Sequence, residues 1–290
     1  MTKTNRMLFA ALLVLVMVFT AACTGKDANT PATTTSAATG NDTKPVPGFI
    51  GSVLYDQDGI KVTVTDYVTD HFYGPELYVT VTNSTDKDVL FKSELLSVNG
   101  YMMNNALASG EVAAGAEEAL CFVFSNEEMA RCGIEALSRL EFYITICDCA
   151  TGEALTTPKL VALHLTEECN MNVDASGEVV YDKDGIRIIF KGVKEDLMYQ
   201  GAVYFFVENQ SGRNISIFNK EISLNGVSCA DFFRIDVRHD LYALDCIYLW
   251  DLSSYNLESL DQIDTIALNL QVVEYETEEV IDTVAVNINN

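Results

Sequence analysis

The sequence predicts an all-β chain in which two tandem β-sandwich domains follow an N-terminal leader. Three observations predict it: a stretch that occurs twice, apolar alternation at the strand period, and frequent turn signals. Val53-Leu-Tyr-Asp-Gln-Asp-Gly-Ile60 is answered by Val179-Val-Tyr-Asp-Lys-Asp-Gly-Ile186, identical at six of eight positions and 126 residues further on. The offset persists: Val81-Thr-Asn83 answers Val207-Glu-Asn209, and Ser97-Val-Asn-Gly100 answers Ser223-Leu-Asn-Gly226. It has fallen to 123 where Ile134-Glu-Ala-Leu137 meets Leu257-Glu-Ser-Leu260, so the second copy is slightly shorter there. Two copies of ordinary domain length follow, residues 49–168 and 175–290.

Residues 1–22 belong to neither copy. Lys3 and Arg6 form a positive n-region, and Leu8 to Phe19 is an uncharged run of 12 apolar residues. A spanning helix needs about 20 such residues, so the run suits a secretory signal instead. Thr20-Ala-Ala-Cys23 then resembles the lipobox of bacterial lipoproteins, with Thr20 where that family prefers Leu. The resemblance implies removal of residues 1–22, lipid on Cys23, and a protein held on the outer face of the cell membrane. The plainer alternative is an ordinary signal peptide cut after Ala22. Residues 23–48 hold three of the five prolines and little apolar content, and read as a flexible linker.

The first copy begins with a hairpin. Val53 to Tyr55 and Ile60 to Val64 flank Asp-Gln-Asp-Gly, a turn signal between alternating runs. Leu77, Val79 and Val81 alternate with Tyr78, Thr80 and Thr82, the pattern of a half-buried strand. Asn83-Ser-Thr-Asp-Lys87 and Asn99-Gly100 are turns. Ser125-Asn-Glu-Glu128 has capping-box spacing, and Gly133 supplies a stop, which predicts one short helix. Leu140 to Ile146 alternates clearly, and Leu160 to Leu165 closes the copy.

The second copy retraces this order through Val179–Tyr181, Ile186–Phe190, Val203–Val207, Ile215–Phe218, Cys246–Trp250, Ile266–Val272 and Val280–Ile288, with a weak helix over Leu252 to Ser259. Seven or eight strands per copy argue for an immunoglobulin-like sandwich, a closed barrel being the alternative. The construction resembles the tandem-domain lipoproteins of Gram-positive anaerobes. It does so through Tyr55-Asp-Gln-Asp-Gly-Ile60, Val98-Asn-Gly100, Tyr181-Asp-Lys-Asp-Gly-Ile186 and Leu224-Asn-Gly226. That resemblance implies a fold and a location but no activity.

Charge narrows the partners. The formal net charge is −24, and loss of residues 1–22 removes Lys3 and Arg6 and no acid, giving −26. That excludes nucleic acid and electrostatic adhesion to anionic lipid. No catalytic constellation is visible. His71, His164 and His239 have no Ser or Cys partner at a recognisable spacing, and Ser84-Thr-Asp-Lys87 reads as a turn rather than a nucleophile motif. Asp56 and Asp58, with their counterparts Asp182 and Asp184, offer paired carboxylates that suit Ca²⁺ only with help from a neighbouring loop. Asp-Gly as hairpin punctuation is the simpler reading. No other cofactor is implied.

Eight cysteines leave seven if Cys23 carries lipid: Cys121, Cys132, Cys147, Cys149, Cys169, Cys229 and Cys246. The odd number means at least one thiol outside any intramolecular pair. Cys147 and Cys149 share a strand face and lack a second pair at zinc spacing. Tyr67, Phe72, Tyr73 and Pro75, with Met198 and Tyr199 in the second copy, place aromatics at one end of the sandwich, where a ligand would be met.

These features predict a non-enzymatic, membrane-anchored surface lipoprotein whose domains mediate protein or ligand contact. The alternative is a cell-envelope accessory or substrate-capture lipoprotein binding a cation or a glycan. A melting temperature that rises in millimolar Ca²⁺, with the rise abolished by Asp182→Asn plus Asp184→Asn, is the expected result if the acidic turns hold the cation. An unchanged melt leaves them as turns.

Overall fold

A computed structural model describes residues 48–166, 173–196 and 199–290. The predicted signal peptide, Cys23, nearly all of the linker, Cys169 and Met198 lie outside them. The described part is all-β and belongs to one compact unit. The first copy supplies β1 (Val53–Gln57), β2 (Ile60–Val68), β3 (Glu76–Asn83), β4 (Val89–Val98), β5 (Tyr101–Met102), β6 (Ser109–Val112), β7 (Glu117–Val123), helix α1 (Asn126–Arg131), β8 (Arg139–Asp148) and β9 (Lys159–His164). The second supplies β10 (Glu178–Lys183), β11 (Ile186–Lys194), β12 (Gly201–Asn209), β13 (Ile215–Leu224), β14 (Val227–Cys229), β15 (Arg234–Val237), β16 (Leu241–Leu249), β17 (Thr265–Glu274) and β18 (Val280–Asn289). Each copy therefore has nine strands among the described residues, not seven or eight.

The duplicated turns form as their residues dictate. Asp58 and Gly59 have φ of 52° and 79°, Asp184 and Gly185 53° and 79°, Asn99 and Gly100 51° and 89°, and Asn225 and Gly226 49° and 82°. Two successive positive φ values make the primed turn whose twist matches a tight hairpin, which is why Asp-Gly and Asn-Gly stand there. Duplicated asparagines then lock the loops. Asn83 donates to the carbonyls of Lys87, Val112 and Ala113, and its oxygen accepts from Thr85. Asn209 repeats this with Arg213, Val237 and Ser211. Both are fully buried, and full satisfaction is what makes a buried amide tolerable.

Helix α1 ends as predicted and begins with half of the expected device. The Ser125 side chain accepts from the Glu128 amide. Gly133 (φ 67°) donates to Ala130 O and Ile134 to Met129 O, a Schellman close. The reciprocal bond of a capping box is not made, because the Glu128 carboxylate turns to the amide of Asn104. In the second copy, the helix expected over Leu252 to Ser259 is two short 3₁₀ turns, Leu252–Tyr255 and Leu260–Gln262.

Three sheets form among the described residues: β1-β2-β3-β7; a nine-stranded sheet β10-β11-β12-β16-β5-β4-β8-β9 with β6 also on β4; and β14-β13-β17-β18 with β15 on β13. The nine-stranded sheet joins the copies. Its seam is parallel, with Tyr101 opposite Tyr242 and the Tyr242 amide donating to Gly100 O at 3.0 Å. The four-stranded sheet packs on one face: Val62, Leu77 and Phe122 share a core with Phe91, Phe142 and Ile144, and the Phe122 and Phe142 rings are 4.9 Å apart. The five-stranded sheet packs on the opposite face, where Ile217, Leu224, Leu268 and Leu270 meet Ile188, Val203, Phe205 and Ile247. Sheets thus face each other in sandwiches, and the closed barrel is not formed.

Each core also takes residues from the other copy. Ile189 and Phe206 join the first core, with Tyr242 and Leu244 packed against it. Leu95 and Met102 join the second, with Tyr143 packed against it. β12 is consequently buried on both faces, whereas β3 keeps Tyr78, Thr80 and Thr82 half-exposed. The sequence matches: Thr63 and Thr80 of the first copy correspond to Ile189 and Phe206 of the second. A strand buried on both faces reads as an apolar run rather than an alternation.

β4 and β7 were not foreseen. β4 carries a bulge between Glu94 and Ser97, and Leu95 sits there at φ 49°, an unfavourable conformation for a branched side chain. The bulge turns Leu95 through the sheet into the other copy's core and breaks the alternation that would have announced the strand.

Phe206→Ala should destabilise the protein by about 3–5 kcal/mol, because it opens a cavity between the copies. Thr80→Ala, its counterpart on the half-exposed face of β3, should cost less than about 1 kcal/mol. Urea unfolding of the two variants checks this difference.

Candidate functional site at the junction of the copies

A small third cluster lies on β12 and β16 of the shared sheet, Ala202, Tyr204 and Cys246 with Tyr248 against them. Helix α1 of the first copy reaches this cluster through Arg131, whose side chain is largely buried. Its guanidinium donates to the Tyr248 hydroxyl at 3.2 Å and to Cys246 Sγ at 3.7 Å, and lies 5.3 Å from the centre of the Tyr204 ring. It stands 3.6 Å from Asp245 and 3.2 Å from Glu127. Lys194 covers the same Tyr204 ring, also at 5.3 Å. A guanidinium suits this place, since it stays charged and stacks on an aromatic face while forming directed hydrogen bonds.

From Tyr248 the aromatic cluster runs outward. The Tyr199 ring lies 4.3 Å from Tyr248 and 4.5 Å from Trp250. Trp250 is 65% exposed and is the sole tryptophan of the chain. Its ring is fixed by Tyr199 while most of its surface stays open to solvent. Rigid aromatics of this kind bury contact area at little conformational cost. Asp251 follows immediately, its carboxylate accepting from the Ser253 amide.

Behind Arg131 two carboxylates sit close to one another. Asn104 joins them, its amide donating to Glu128 Oε1 and its side chain to Asp245 Oδ2, each at 3.2 Å. Glu128 is buried, and its second oxygen has no hydrogen-bond partner. Burial, and next the charge of Asp245, push its pKa up to about 7. Burial likewise raises Asp245. At the other side of the seam, Glu141 accepts from Arg139 at 2.6 Å and from Arg238 of the second copy at 2.5 Å. Glu141 and Arg238 are both buried. Removing one partner of such a pair strands a charge in a low dielectric.

The residues singled out in the sequence are dispersed. Asp56 and Asp182 lie on β1 and β10, and Asp58 and Asp184 occupy the turns. Asp182 stands 3.8 Å from Arg187 and Asp184 4.0 Å from Lys183, whereas Asp56 and Asp58 make no side-chain bond among the described residues. The turns thus form through backbone conformation and not through bonds from the aspartate side chains. No group of three or more His, Cys, Asp or Glu is placed to hold a metal ion among the described residues. His71 pairs with Glu76 at 3.0 Å, His239 with Asp240 at 3.1 Å, and His164 is an exposed strand end. Cys147 is the buried penultimate residue of β8 and Cys149 lies beyond the strand, so the two do not share a strand face. All six described cysteines are free. Burial pushes the thiols of Cys132 and Cys246 up to about 12, the opposite of an activated thiolate.

The expected aromatic ends exist in both copies. Phe72 and Tyr73 are 84% and 66% exposed with rings 5.1 Å apart, and Tyr67 packs on Phe49. The sequence patterns point to Tyr199 but not to its neighbour Trp250, the end of a predicted strand, nor to Arg131, the last residue of α1.

No protein-family model matches the chain, and no curated protein matches it. Among solved structures it is similar to the YadV chaperone, at 10% identity and a TM-score of 0.24 over 80% of this chain and all of that one. It is also similar to the Salmonella enterica SafA pilin in complex with the SafB chaperone, at 10% identity and 0.26 over 81% and 98%. Red sea bream transglutaminase matches at 9% and 0.23, over 81% of this chain and 31% of that one. These likenesses are too distant to carry an argument.

The Glu128 carboxyl has a pH signature. Its folded pKa is raised, so the folded state binds more protons than the unfolded state between the ordinary carboxyl range and about 7. Stability from this group is full at low pH and falls as pH rises through that window, by on the order of 3 kcal/mol. Glu128→Gln should therefore melt at the wild-type temperature at pH 4.5 and above it at pH 8, a comparison that thermal melts at the two pH values provide.

Proposed function

We propose that this chain is a non-enzymatic lipoprotein of the bacterial cell envelope, anchored through Cys23 on the outer face of the membrane. Its two immunoglobulin-like copies mediate contact with a protein or a ligand. The observation that supports a contact role is the aromatic strip at the junction. Tyr248 and Tyr199 are fixed by Arg131 and by each other, and they hold Trp250 largely in solvent. Tryptophan, tyrosine and arginine are the residue types that most often anchor protein contacts, and all three meet in this strip. The anchor rests on the signal run and Thr20-Ala-Ala-Cys23. Among the described residues no helix is long and apolar enough to cross a membrane.

Trp250 makes the reading directly measurable, since it is the sole source of tryptophan fluorescence. Addition of solubilised cell-surface fractions should shift its emission to the blue and protect it from acrylamide. Trp250→Ala should weaken retention of the protein on the same fractions by about tenfold or more, as loss of an aromatic anchor does. Emission and retention that ignore every fraction would remove the strip as the contact site. Separately, Cys23→Ser should release the protein from the membrane fraction.

A further inference from the structure

We propose that a cleft between the copies binds a small aliphatic zwitterion, a free α-amino acid or a dipeptide with branched aliphatic side chains. The cleft has a volume of about 320 Å³ and opens where β15 and the β17–β18 turn lean over β4 and the β5–β6 loop. That size is at the lower end of the range for small-molecule sites, and junctions between packed units are where such sites gather. Leu90 and Leu107 form an apolar wall, and Leu107 is 48% exposed with nothing of the protein over it.

The charges in the cleft are what select the ligand. Lys92 and Glu94 lie two residues apart on one face of β4, yet no ion pair joins them, and the Lys92 ammonium has no partner among the described residues. Glu94 uses one oxygen, accepting from Thr145 at 2.5 Å, and the other makes no hydrogen bond. From the second copy come Asp236, held by Ser216 and Arg234, and Tyr275. Burial pushes the Tyr275 phenol up to about 12, the charges of Glu94 and Asp236 add to it, and the Arg234 guanidinium opposes it. The cleft therefore offers one carboxylate without a cationic partner, Glu94, and a neutral phenol against a separate unpaired ammonium, beside leucine side chains, while Asp236 is already paired with Arg234. A simple cation would leave Lys92 unanswered, and a simple anion would meet the Glu94 carboxylate. A ligand with an ammonium, a carboxylate and an aliphatic side chain answers each group. Removing either of its charges leaves Lys92 or Glu94, both half-buried, without its counterpart.

The test is calorimetric titration of the full chain, purified in mild detergent, with four probes: L-leucine, leucyl-leucine, leucinamide, which lacks the carboxylate, and 4-methylpentanoate, which lacks the ammonium. The zwitterions should bind, and each singly charged analogue should bind at least about tenfold more weakly. Lys92→Met should abolish the preference for leucine over leucinamide, and Glu94→Gln the preference for leucine over 4-methylpentanoate. Both are half-buried strand positions where these substitutions preserve side-chain length, and unchanged melting temperatures confirm folding. Binding of leucinamide as tight as that of leucine would overturn the proposal. So would no heat from any probe at about 10 mM, or wild-type selectivity in both variants.

Discussion

The structure depends on one constraint: the nine-stranded sheet must be covered on both faces by two outer sheets that belong to different copies. Neither copy covers it alone. Phe206 and Ile189 leave their own copy to fill the first core, and Leu95 and Met102 cross in the other direction. The exchange explains why β12 is buried on both faces while its counterpart β3 is not. At about 1.5–3 kcal/mol for each large apolar side chain buried, the four crossing residues together contribute on the scale of a whole domain's margin of stability. The polar elements of the seam follow from the same geometry. Arg131 and Arg238 each cross between the copies, and each ends on a carboxylate or phenol that the other copy supplies.

The elements visible in the sequence were those governed by local rules. Asp58-Gly59, Asn99-Gly100 and their duplicates specify primed turns because those residues tolerate positive φ, and the hairpins formed at the expected positions. Gly133 ended α1 for a related reason. The elements that escaped are those whose pattern is set from outside the segment. β4 lost its alternation because Leu95 answers a core on the far side of the sheet. Glu128 leaves its capping box half made, its carboxylate accepting from the Asn104 amide instead. Thr80 against Phe206 did carry the signal of the interlock, but only when the two copies are set side by side.

The junction site escaped for the same reason. Arg131, Tyr204, Tyr248 and Trp250 are scattered over about 120 positions, and no spacing rule connects them. Only the sheet brings them together. Asp56, Asp58, Asp182 and Asp184 are the reverse case: a conspicuous local pattern whose members the fold keeps apart and largely in solvent. Chemistry assembled by tertiary structure is invisible to motif reasoning, and a motif can be complete in its role as a turn.

The two-sided burial of β12 also bears on how the chain is made. The first copy leaves the ribosome before the second, and its own four-stranded sheet can close over β4 and β8 at once. When Gly201 to Asn209 emerges, an apolar face awaits it. Were the order of the copies exchanged, that strand would appear with one greasy side uncovered and no surface to receive it, in the interval when chains most readily associate with one another. Duplication has thus given the molecule a direction, in which the earlier half acts as the shelter of the later one.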